Sequence, residues 1–353
     1  MIQFLKFERL ICVRINKKTI FFSFVIVLLF FFMFTYELPY YIYKPGETDP
    51  LEEMIEVEEG YESKGDFHLV TVSGGQATPL FMLMASLLPY HDIVPLEDAR
   101  PDGISDEEYM KYQLKLMENS HQTSTVVAYR AANEEVEIIQ HGVYIMDVVK
   151  GMPAEGILQT GDRVIEVDGI KVKEALDLVK YVEGKQSGEE VEFFIERDGV
   201  TKREKIKVVA FPDQPEKVGI GVRLVNDQEV EVKREVEIKS GKIGGPSAGL
   251  MFALEMYDKL VEEDITKGYK IAGTGEIDFE GNVLRIGGVD KKVVAADKND
   301  IEIFFVPYEN GRSQSNYEEA KETAEKIKST MKIVPVDTFD DALKYLDNLT
   351  PKE

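Results

Sequence analysis

The sequence contains little that would support disulfide bonding, metal binding or nucleic-acid binding. It has no tryptophan, four histidines and a single cysteine, Cys12. One cysteine cannot form a disulfide framework, and no His-Glu-x-x-His or paired-cysteine spacing indicates a metal site. The formal net charge of −23 would repel a phosphate backbone. We therefore predict no metal, no cofactor and no nucleic-acid partner.

The phosphate-binding sequence Gly-x4-Gly-Lys-Ser/Thr is also missing from the chain. We therefore predict a protein whose activity does not depend on ATP. The length of 353 residues allows two to three domains. The hydrophobic and charged fractions, 44% and 30%, are typical of a globular protein.

The N-terminal region combines a basic segment with an apolar one. Residues 1–18 carry five lysines and arginines against one acid, and residues 19–36 are uncharged and rich in Phe, Leu, Ile and Val. This pattern predicts a cytoplasmic tail followed by a single transmembrane anchor, with the rest of the chain outside the cell. A cleaved signal peptide is the alternative, although no small-x-small cleavage site precedes Glu37-Leu38-Pro39.

The stretch Gly244-Gly245-Pro246-Ser247-Ala248-Gly249-Leu250 places a serine among very small residues. Apolar residues three and four apart follow it, which predicts a helix with Ser247 at or near its N-terminus. Unpaired backbone N–H groups point outward there, and we expect the amides of Gly245 and Ala248 to hold an oxyanion. The alternative is an ordinary serine cap on a glycine turn.

A nucleophilic serine needs a base, and all four histidines lie well upstream of Ser247. If residues from 289 onward are helical, Lys292 shares one face with three apolar residues, Val289, Val293 and Ala296. Burial on that face would lower the pKa of Lys292, as a general base requires. Lys291 falls instead with Lys298, on a face that we predict to be solvated. The alternative for Lys292 is a side chain that extends to water.

Three stretches in this order resemble the proteolytic domain of Lon-family serine peptidases. They are Gly-Gly-Pro-Ser-Ala-Gly at 244–249, Gly-Thr-Gly-Glu-Ile at 273–277, and the segment 283–296 with Lys292. The resemblance is strong over residues 235–350. It implies a dyad of Ser247 and Lys292, with Thr274 hydrogen-bonded to the lysine to orient it; the alternative for Thr274 is an ordinary turn hydroxyl.

One departure concerns Gly244, which stands where Lon itself usually carries an aspartate, and it indicates a Lon-like subgroup. A weaker resemblance relates residues 117–130 to the first helix of the Lon proteolytic domain. It implies a discontinuous protease fold, with a second module inserted before the Ser247 half. The family fold is a ribosomal-S5-like α/β core, and family members form rings, so a hexamer is the expectation for oligomeric state.

Residues 133–212 are similar to a bacterial protease-type PDZ domain, a small β-barrel or sandwich with helices. The motifs that carry this are Gly142-Val143-Tyr144-Ile145, Gly161-Asp162-Arg163 and the hairpin dipeptide Asp198-Gly199. Such domains bind an extended peptide beside a sheet edge. The resemblance implies that Gly142, Val143 and Tyr144 form that loop and edge. The alternative is a module that only packs on the protease.

Together these observations predict an α+β protein with the following segments: 1–18 cytoplasmic tail, 19–36 transmembrane anchor, 37–132 linker and N-terminal part of the protease fold, 133–212 PDZ domain, and 213–353 Lon-type proteolytic domain. The predicted function is that of a membrane-anchored, extracellular, ATP-independent serine endopeptidase, similar to surface proteases of Gram-positive bacteria. It would cleave exported peptides or flexible protein segments recruited by the PDZ domain. The alternative is a non-catalytic PDZ adaptor with an inactive Lon-like scaffold.

Overall fold

The computed structural model describes residues 16–100, 106–212 and 214–352. These residues form two compact units. The smaller unit contains residues 16–44 and 73–100, and the larger unit contains residues 45–72, 106–212 and 214–352.

The α-helices in the described ranges, numbered in chain order, are α1 (Lys17–Thr35), α2 (Pro79–Ala85), α3 (Leu96–Ala99), α4 (Asp106–Ala131), α5 (Ala175–Glu183), α6 (Gly249–Leu260), α7 (Val289–Asp297), α8 (Asn316–Ile327) and α9 (Phe339–Asp347). Short 3₁₀ helices cover Leu51–Glu53 and Glu309–Gly311.

The β-strands there are β1 (Tyr40–Pro50), β2 (Ile55–Val57), β3 (Asp66–Gln76), β4 (Asp92–Pro95), β5 (Val136–Val148), β6 (Arg163–Val167), β7 (Ile170–Lys171), β8 (Glu190–Arg197), β9 (Val200–Lys207), β10 (Val209–Phe211), β11 (Gln214–Gly219), β12 (Val222–Val232), β13 (Val236–Ile238), β14 (Lys270–Gly273), β15 (Glu276–Ile277), β16 (Val283–Leu284), β17 (Ile303–Pro307) and β18 (Lys332–Val336).

The smaller unit begins with α1, which covers most of the apolar run predicted as an anchor. Its side chains from Ile20 to Phe34 are largely exposed. Within residues 16–100, 106–212 and 214–352, no helix has the length and apolar character needed to cross a membrane. The predicted transmembrane anchor at residues 19–36 is therefore not supported, and the predicted tail at 1–18 lies mostly outside the described residues.

The other elements of the smaller unit follow from local sequence. Thr78 caps α2 by accepting a hydrogen bond from the Phe81 N–H, and Pro79 occupies the first helical position, where its missing N–H costs nothing. Strand β4 pairs antiparallel with the first residues of β1, from Tyr40 opposite Pro95 to Tyr43 opposite Asp92.

The larger unit contains a sheet in which β3, β14, β17 and β18 are parallel neighbours. Phe67 and Leu69 of β3 pack in a core shared with α4, α6 and α9. Val70 packs in a second core shared with α7 and α8. Because successive side chains of a strand point to opposite faces, helices cover both faces of this sheet. The mixed α+β class is thus as predicted.

A second sheet in the larger unit has the strand order β12-β5-β6-β8-β9, with β7 beside β6. Its core includes Val143, Phe193 and Ile206, and α5 packs its apolar face against it. The residues that join β8 and β9, Asp198 and Gly199, have φ of 52° and 75°, as the predicted hairpin requires. Strand β12 lies beyond residue 212, so this sheet extends past the end predicted for the PDZ domain.

Elements that precede the second sheet in sequence share a hydrophobic core with elements that follow it. Met117 and Tyr129 of α4 pack with Leu250 and Phe252 of α6, and β2 pairs with β13. The fold around α6 is therefore assembled from residues before and after the inserted sheet, in agreement with the discontinuous protease fold implied by the resemblance.

Candidate active site

The loop that carries Ser247 is held by helix α4. The Gly245 N–H donates to the Gln113 carbonyl at 2.8 Å, and the Ser120 hydroxyl donates to the Pro246 carbonyl at 3.1 Å. Gly245 has φ of 89°, which glycine adopts with little strain. Ser247 is partly exposed at the end of this loop, and α6 begins two residues later.

Close packing at Gly249 fixes the start of α6. A Cβ atom there would lie 2.9 Å from Ile277 Cγ2 and 3.1 Å from Ser120 Oγ, so a larger residue would separate α6 from β15 and α4. The buried Ser124 hydroxyl donates to the Gly249 carbonyl at 2.8 Å. The position of Ser247 therefore depends on α4 as much as on its own loop.

Lys292 reaches Ser247 from helix α7. The Lys292 side chain is buried, and its Nζ lies 2.7 Å from Ser247 Oγ. As predicted, it shares a face of α7 with the buried residues Val289, Val293 and Ala296. The structure thus brings together two residues that lie 45 positions apart, and the amine does not extend to water.

Burial also sets the protonation of this lysine. It lowers the pKa of Lys292 to about 7, because the charged ammonium loses its hydration inside the protein. A large fraction of the amine is therefore neutral near pH 7, and neutral nitrogen can accept a proton.

Thr274 completes the group of side chains around the amine. Its buried hydroxyl accepts a hydrogen bond from Lys292 Nζ at 2.8 Å and donates to the Ser247 carbonyl at 3.0 Å. Its N–H donates to the Phe305 carbonyl of β17 at 2.9 Å, which anchors it to the sheet. Thr274 is therefore more than a turn hydroxyl, since it contacts both Lys292 and the Ser247 backbone.

The predicted oxyanion donors, Gly245 and Ala248, differ in their environment. The Gly245 N–H is already bonded to Gln113, so the prediction that it holds an oxyanion is wrong. For the Ala248 N–H, the described residues supply no hydrogen-bond acceptor. The sequence indicated two small residues beside Ser247, but it held no signal that α4 would occupy one of their amides.

Lys291 was predicted on a solvated face, and this prediction is also wrong. Its side chain is buried, and its Nζ lies 3.1 Å from the Asp290 carboxylate. Helix α8 packs against α7, and its Glu319 lies close enough to interact electrostatically with Lys291. Helical spacing within α7 cannot reveal a second helix on that face. Across the three described ranges, no group of three or more His, Cys, Asp or Glu residues is arranged to bind a metal ion.

Gly142, Val143 and Tyr144 do not form the predicted peptide-binding loop and edge. They lie inside β5, which pairs with β12 on one side and with β6 on the other. Val143 is fully buried, and the Tyr144 hydroxyl accepts a hydrogen bond from Arg163 at 2.8 Å. The prediction is wrong because β12, which follows the predicted domain, occupies the edge of β5.

The outer strand of this sheet is β12 itself. Part of its edge is covered by α4, since Asn119 donates to the Asn226 carbonyl at 3.2 Å and Gln122 to the Gln228 carbonyl at 2.9 Å. The segment Val222–Val225 precedes this covered part, and the next residue, Asn226, accepts a hydrogen bond from the Ala175 N–H at the start of α5. We call this segment the recognition edge.

The sequence did contain a signal for the recognition edge, the Gly219-Ile220-Gly221 triplet just before it. Gly221 has φ of 79°, and a Cβ atom there would lie 2.1 Å from Met152 Cβ. Only glycine fits this turn into the edge strand. When strand pairing is unknown, this triplet cannot be distinguished from glycines in an ordinary loop.

Two segments of the chain match known domain families. Residues 213–348 match the Lon protease (S16) C-terminal proteolytic domain. Residues 114–208 match the PDZ domain. The first segment contains Ser247, Thr274 and Lys292, and the second contains most of the inserted sheet.

Similar curated proteins are Lon proteases. The chain is 39% identical to Lon protease from Campylobacter jejuni over 106 residues, which is 29% of this chain and 12% of that protein. It is 33% identical to Lon protease from Mesomycoplasma hyopneumoniae over 102 residues, covering 29% of this chain and 11% of that protein. The chain thus spans about one eighth of the length of these relatives.

Similar solved structures include GtR34C from Geobacillus thermodenitrificans, with 36% identity over 23% of this chain and 94% of that chain, and a TM-score of 0.22. The PDZ domain of the SdrC-like protein from Listeria innocua is 30% identical over 24% of this chain and 92% of that chain, also with a TM-score of 0.22. From the matched families and relatives, residues 213–348 are similar to a Lon-type proteolytic domain, and residues 114–208 are similar to a PDZ domain.

Proposed function

We propose that this protein is a serine endopeptidase in which Ser247 is the nucleophile and Lys292 is the general base. The observation that carries the proposal is the position of a buried amine 2.7 Å from the serine hydroxyl. A lysine with a pKa of about 7 is matched to proton transfer near neutral pH. The match of residues 213–348 to a Lon proteolytic domain supports the same reaction class.

In the proposed reaction, neutral Lys292 takes the hydroxyl proton while Ser247 Oγ bonds to the peptide carbonyl carbon. The Ala248 N–H stabilises the negative oxygen that forms. The C–N bond then breaks, and Lys292 returns its proton to the leaving amine, which gives an ester on Ser247. A water molecule attacks this ester, Lys292 accepts a proton from the water, and the acid product leaves as Ser247 regains its proton.

We further propose that substrates are extended or flexible segments presented by the PDZ-type module. The recognition edge supports this, because an edge strand pairs with an extended chain through main-chain hydrogen bonds. Such a substrate would need no unfolding before cleavage. Exported peptides and flexible parts of surface proteins belong to this class.

For its location, we propose that the protein associates through α1 with the outer face of a membrane. Two features support this. Apart from Ser23, the exposed side chains of α1 are apolar from Ile20 to Phe34, and the sequence before α1 is basic, with Lys6, Arg9 and Arg14. Basic residues beside an apolar helix favour its binding to an anionic membrane surface.

Cleavage of a fluorescently labelled unstructured protein by the purified full chain tests the enzymatic proposal. Ser247→Ala should lower the cleavage rate at least about 1000-fold, since it removes the nucleophile. Ser313→Ala is the matched control, because Ser313 is exposed on a different loop, and its rate should equal that of the parent. Equal rates for Ser247→Ala and the parent would rule out the assignment. A parent that binds peptides without cleaving any would favour the adaptor function.

A further inference from the structure

The smaller unit exposes a second apolar surface besides α1. It comprises α2 and the residues just after it, and we call it the α2 patch. Its exposed members are Phe81, Leu83, Met84, Leu87 and Leu88, with Leu87 reaching 76% exposure. Residues 79–88 contain no charged side chain. Monomeric soluble proteins rarely leave such continuous apolar surfaces in water.

Hydrogen bonds place the start of the α2 patch beside the end of α1. The Leu38 N–H donates to the Ala77 carbonyl at 2.8 Å, and the Ala77 N–H donates to the Tyr40 carbonyl at 2.8 Å. The Gln76 side chain also donates to the Leu38 carbonyl, at 3.0 Å. Helix α1 ends at Thr35 and contacts α2. The two apolar surfaces are therefore neighbours in one unit.

The residues between these surfaces are of the type found where a bilayer meets water. Tyr36 and Tyr40 follow α1 and are 52% and 39% exposed. Tyrosine is enriched at this depth, because its ring is apolar and its hydroxyl is polar. If α1 contacts acyl chains, these tyrosines mark the interface, and the hydrogen bonds of Ala77 to Leu38 and Tyr40 place the start of the α2 patch beside it.

The two hydroxyl groups at the α2 patch are hydrogen-bonded within the unit, which favours lipid over a protein partner. The Ser86 hydroxyl donates to the Leu83 carbonyl at 2.8 Å. Thr78 accepts the Phe81 N–H. Hydrocarbon offers no hydrogen bonds, so a segment that enters it must satisfy its own polar groups. The hydroxyl groups of the α2 patch meet this requirement, and the patch offers no charge for a protein partner to recognise.

We propose that the α2 patch inserts into the interfacial layer of a lipid bilayer and forms a second lipid contact beside α1. The inference rests on the proposed membrane association of α1. Two contacts in one unit hold the strands that follow α1 close to the membrane surface. A single apolar helix would leave this orientation free.

The absence of tryptophan from the chain makes the test direct. Leu87→Trp probes the α2 patch, Val27→Trp probes α1, and Val200→Trp probes an exposed apolar position in the β8–β9 hairpin of the larger unit. Each full-length variant is mixed with phosphatidylcholine vesicles whose acyl chains are brominated or not. We expect blue-shifted emission and quenching by bromine for Leu87→Trp and Val27→Trp, and neither effect for Val200→Trp.

Each other outcome has a defined meaning. Quenching of Val27→Trp without quenching of Leu87→Trp overturns the α2 proposal and leaves the association of α1 standing. Quenching of neither overturns both proposals. Equal quenching at all three positions indicates nonspecific adsorption and overturns the specific contact. A blue shift of Leu87→Trp that needs no vesicles and grows with protein concentration assigns the α2 patch to a second copy of the chain.

A charge in the α2 patch gives a second, quantitative test. Leu87→Glu should lower partitioning into the same vesicles by about tenfold, because it removes a large apolar side chain from lipid. Val200→Glu is the matched control and should leave partitioning unchanged. Because Leu87 is exposed, both variants should keep the thermal stability of the parent. Unchanged partitioning of a folded Leu87→Glu variant would overturn the proposal.

Discussion

The Ser247 site and the recognition edge lie in the same larger unit but are built in opposite ways. The Ser247 site consists of side chains, and its amine is buried between α7 and the sheet. The recognition edge consists of main-chain groups on the outermost strand of a sheet. A side-chain site is encoded by particular residues, whereas an edge is encoded by which strands pair. The first can therefore be read from motifs, and the second cannot.

The largest effect should come from removing the amine at the Ser247 site. Lys292→Met keeps the length and apolar contacts of the side chain but removes the base, and we expect at least about a 1000-fold loss of kcat/KM. In the parent, kcat/KM should rise with pH and level off above about 7, because only the neutral amine accepts a proton. Peptide cleavage measured between acid and alkaline pH gives both results.

Lys298→Met is the matched control, since Lys298 is exposed just after the same helix. Its pH profile should equal that of the parent. A parent profile with no inflection near neutral pH would contradict the role of Lys292. The folded pKa lies below that of an unfolded lysine, so this residue adds stability as pH rises above about 7. Lys292→Met should lose that increase in a thermal unfolding series.

A smaller effect is expected at Thr274, which positions the amine. Thr274→Val preserves shape but removes the acceptor of the Lys292 hydrogen bond. We expect kcat to fall roughly 10- to 100-fold with little change in KM, because a buried donor loses its partner. Thr274→Ser restores the hydroxyl and should recover most of the activity. If the valine and serine variants were equally active, the hydroxyl would have no positioning role.

The smallest effect should come from the recognition edge. The Val149 N–H donates to the Gly221 carbonyl, so the main-chain groups of Val222 point away from β5 by strand alternation. Val222→Pro removes one outward N–H, and we expect KM for a long unstructured substrate to rise about three- to tenfold. The kcat for a short peptide should stay unchanged. Val222→Thr keeps the N–H and is the control.

The edge predicted from sequence offers a contrasting variant. At Gly142 a Cβ atom would lie 2.5 Å from the Val164 carbonyl oxygen, so Gly142→Ala should destabilise the sheet. The unfolding temperature measured by circular dichroism should therefore fall clearly, whereas the peptide affinity of the folded protein should change little. A Gly142→Ala protein that is fully stable but no longer binds peptides would restore the original assignment.

The sequence was sufficient to predict that Ser247, Lys292 and Thr274 lie close together, because each belongs to a short motif and helical spacing orients the lysine. It failed where a distant element decides the outcome. Gln113 takes the Gly245 amide, and α8 covers Lys291. The role of Ser120 was also missed, since its bond to Pro246 spans 126 positions. In each case the contact that determines the environment joins residues far apart in sequence, so a local sequence pattern cannot predict it.

The pairing of β5 with β12 has a further consequence for how the discontinuous fold forms. Val136 lies opposite Val232, and the Tyr129 hydroxyl donates to the Arg234 carbonyl at 2.6 Å, so the two ends of the insertion meet. Closing a loop of about a hundred residues costs roughly 3 kcal/mol more than closing a loop of about four. If the inserted sheet folds first, the pairing of β5 with β12 already brings the ends of this long loop together. Helix α4 and the loop that carries Ser247 can then associate with the low entropy cost of a short connection.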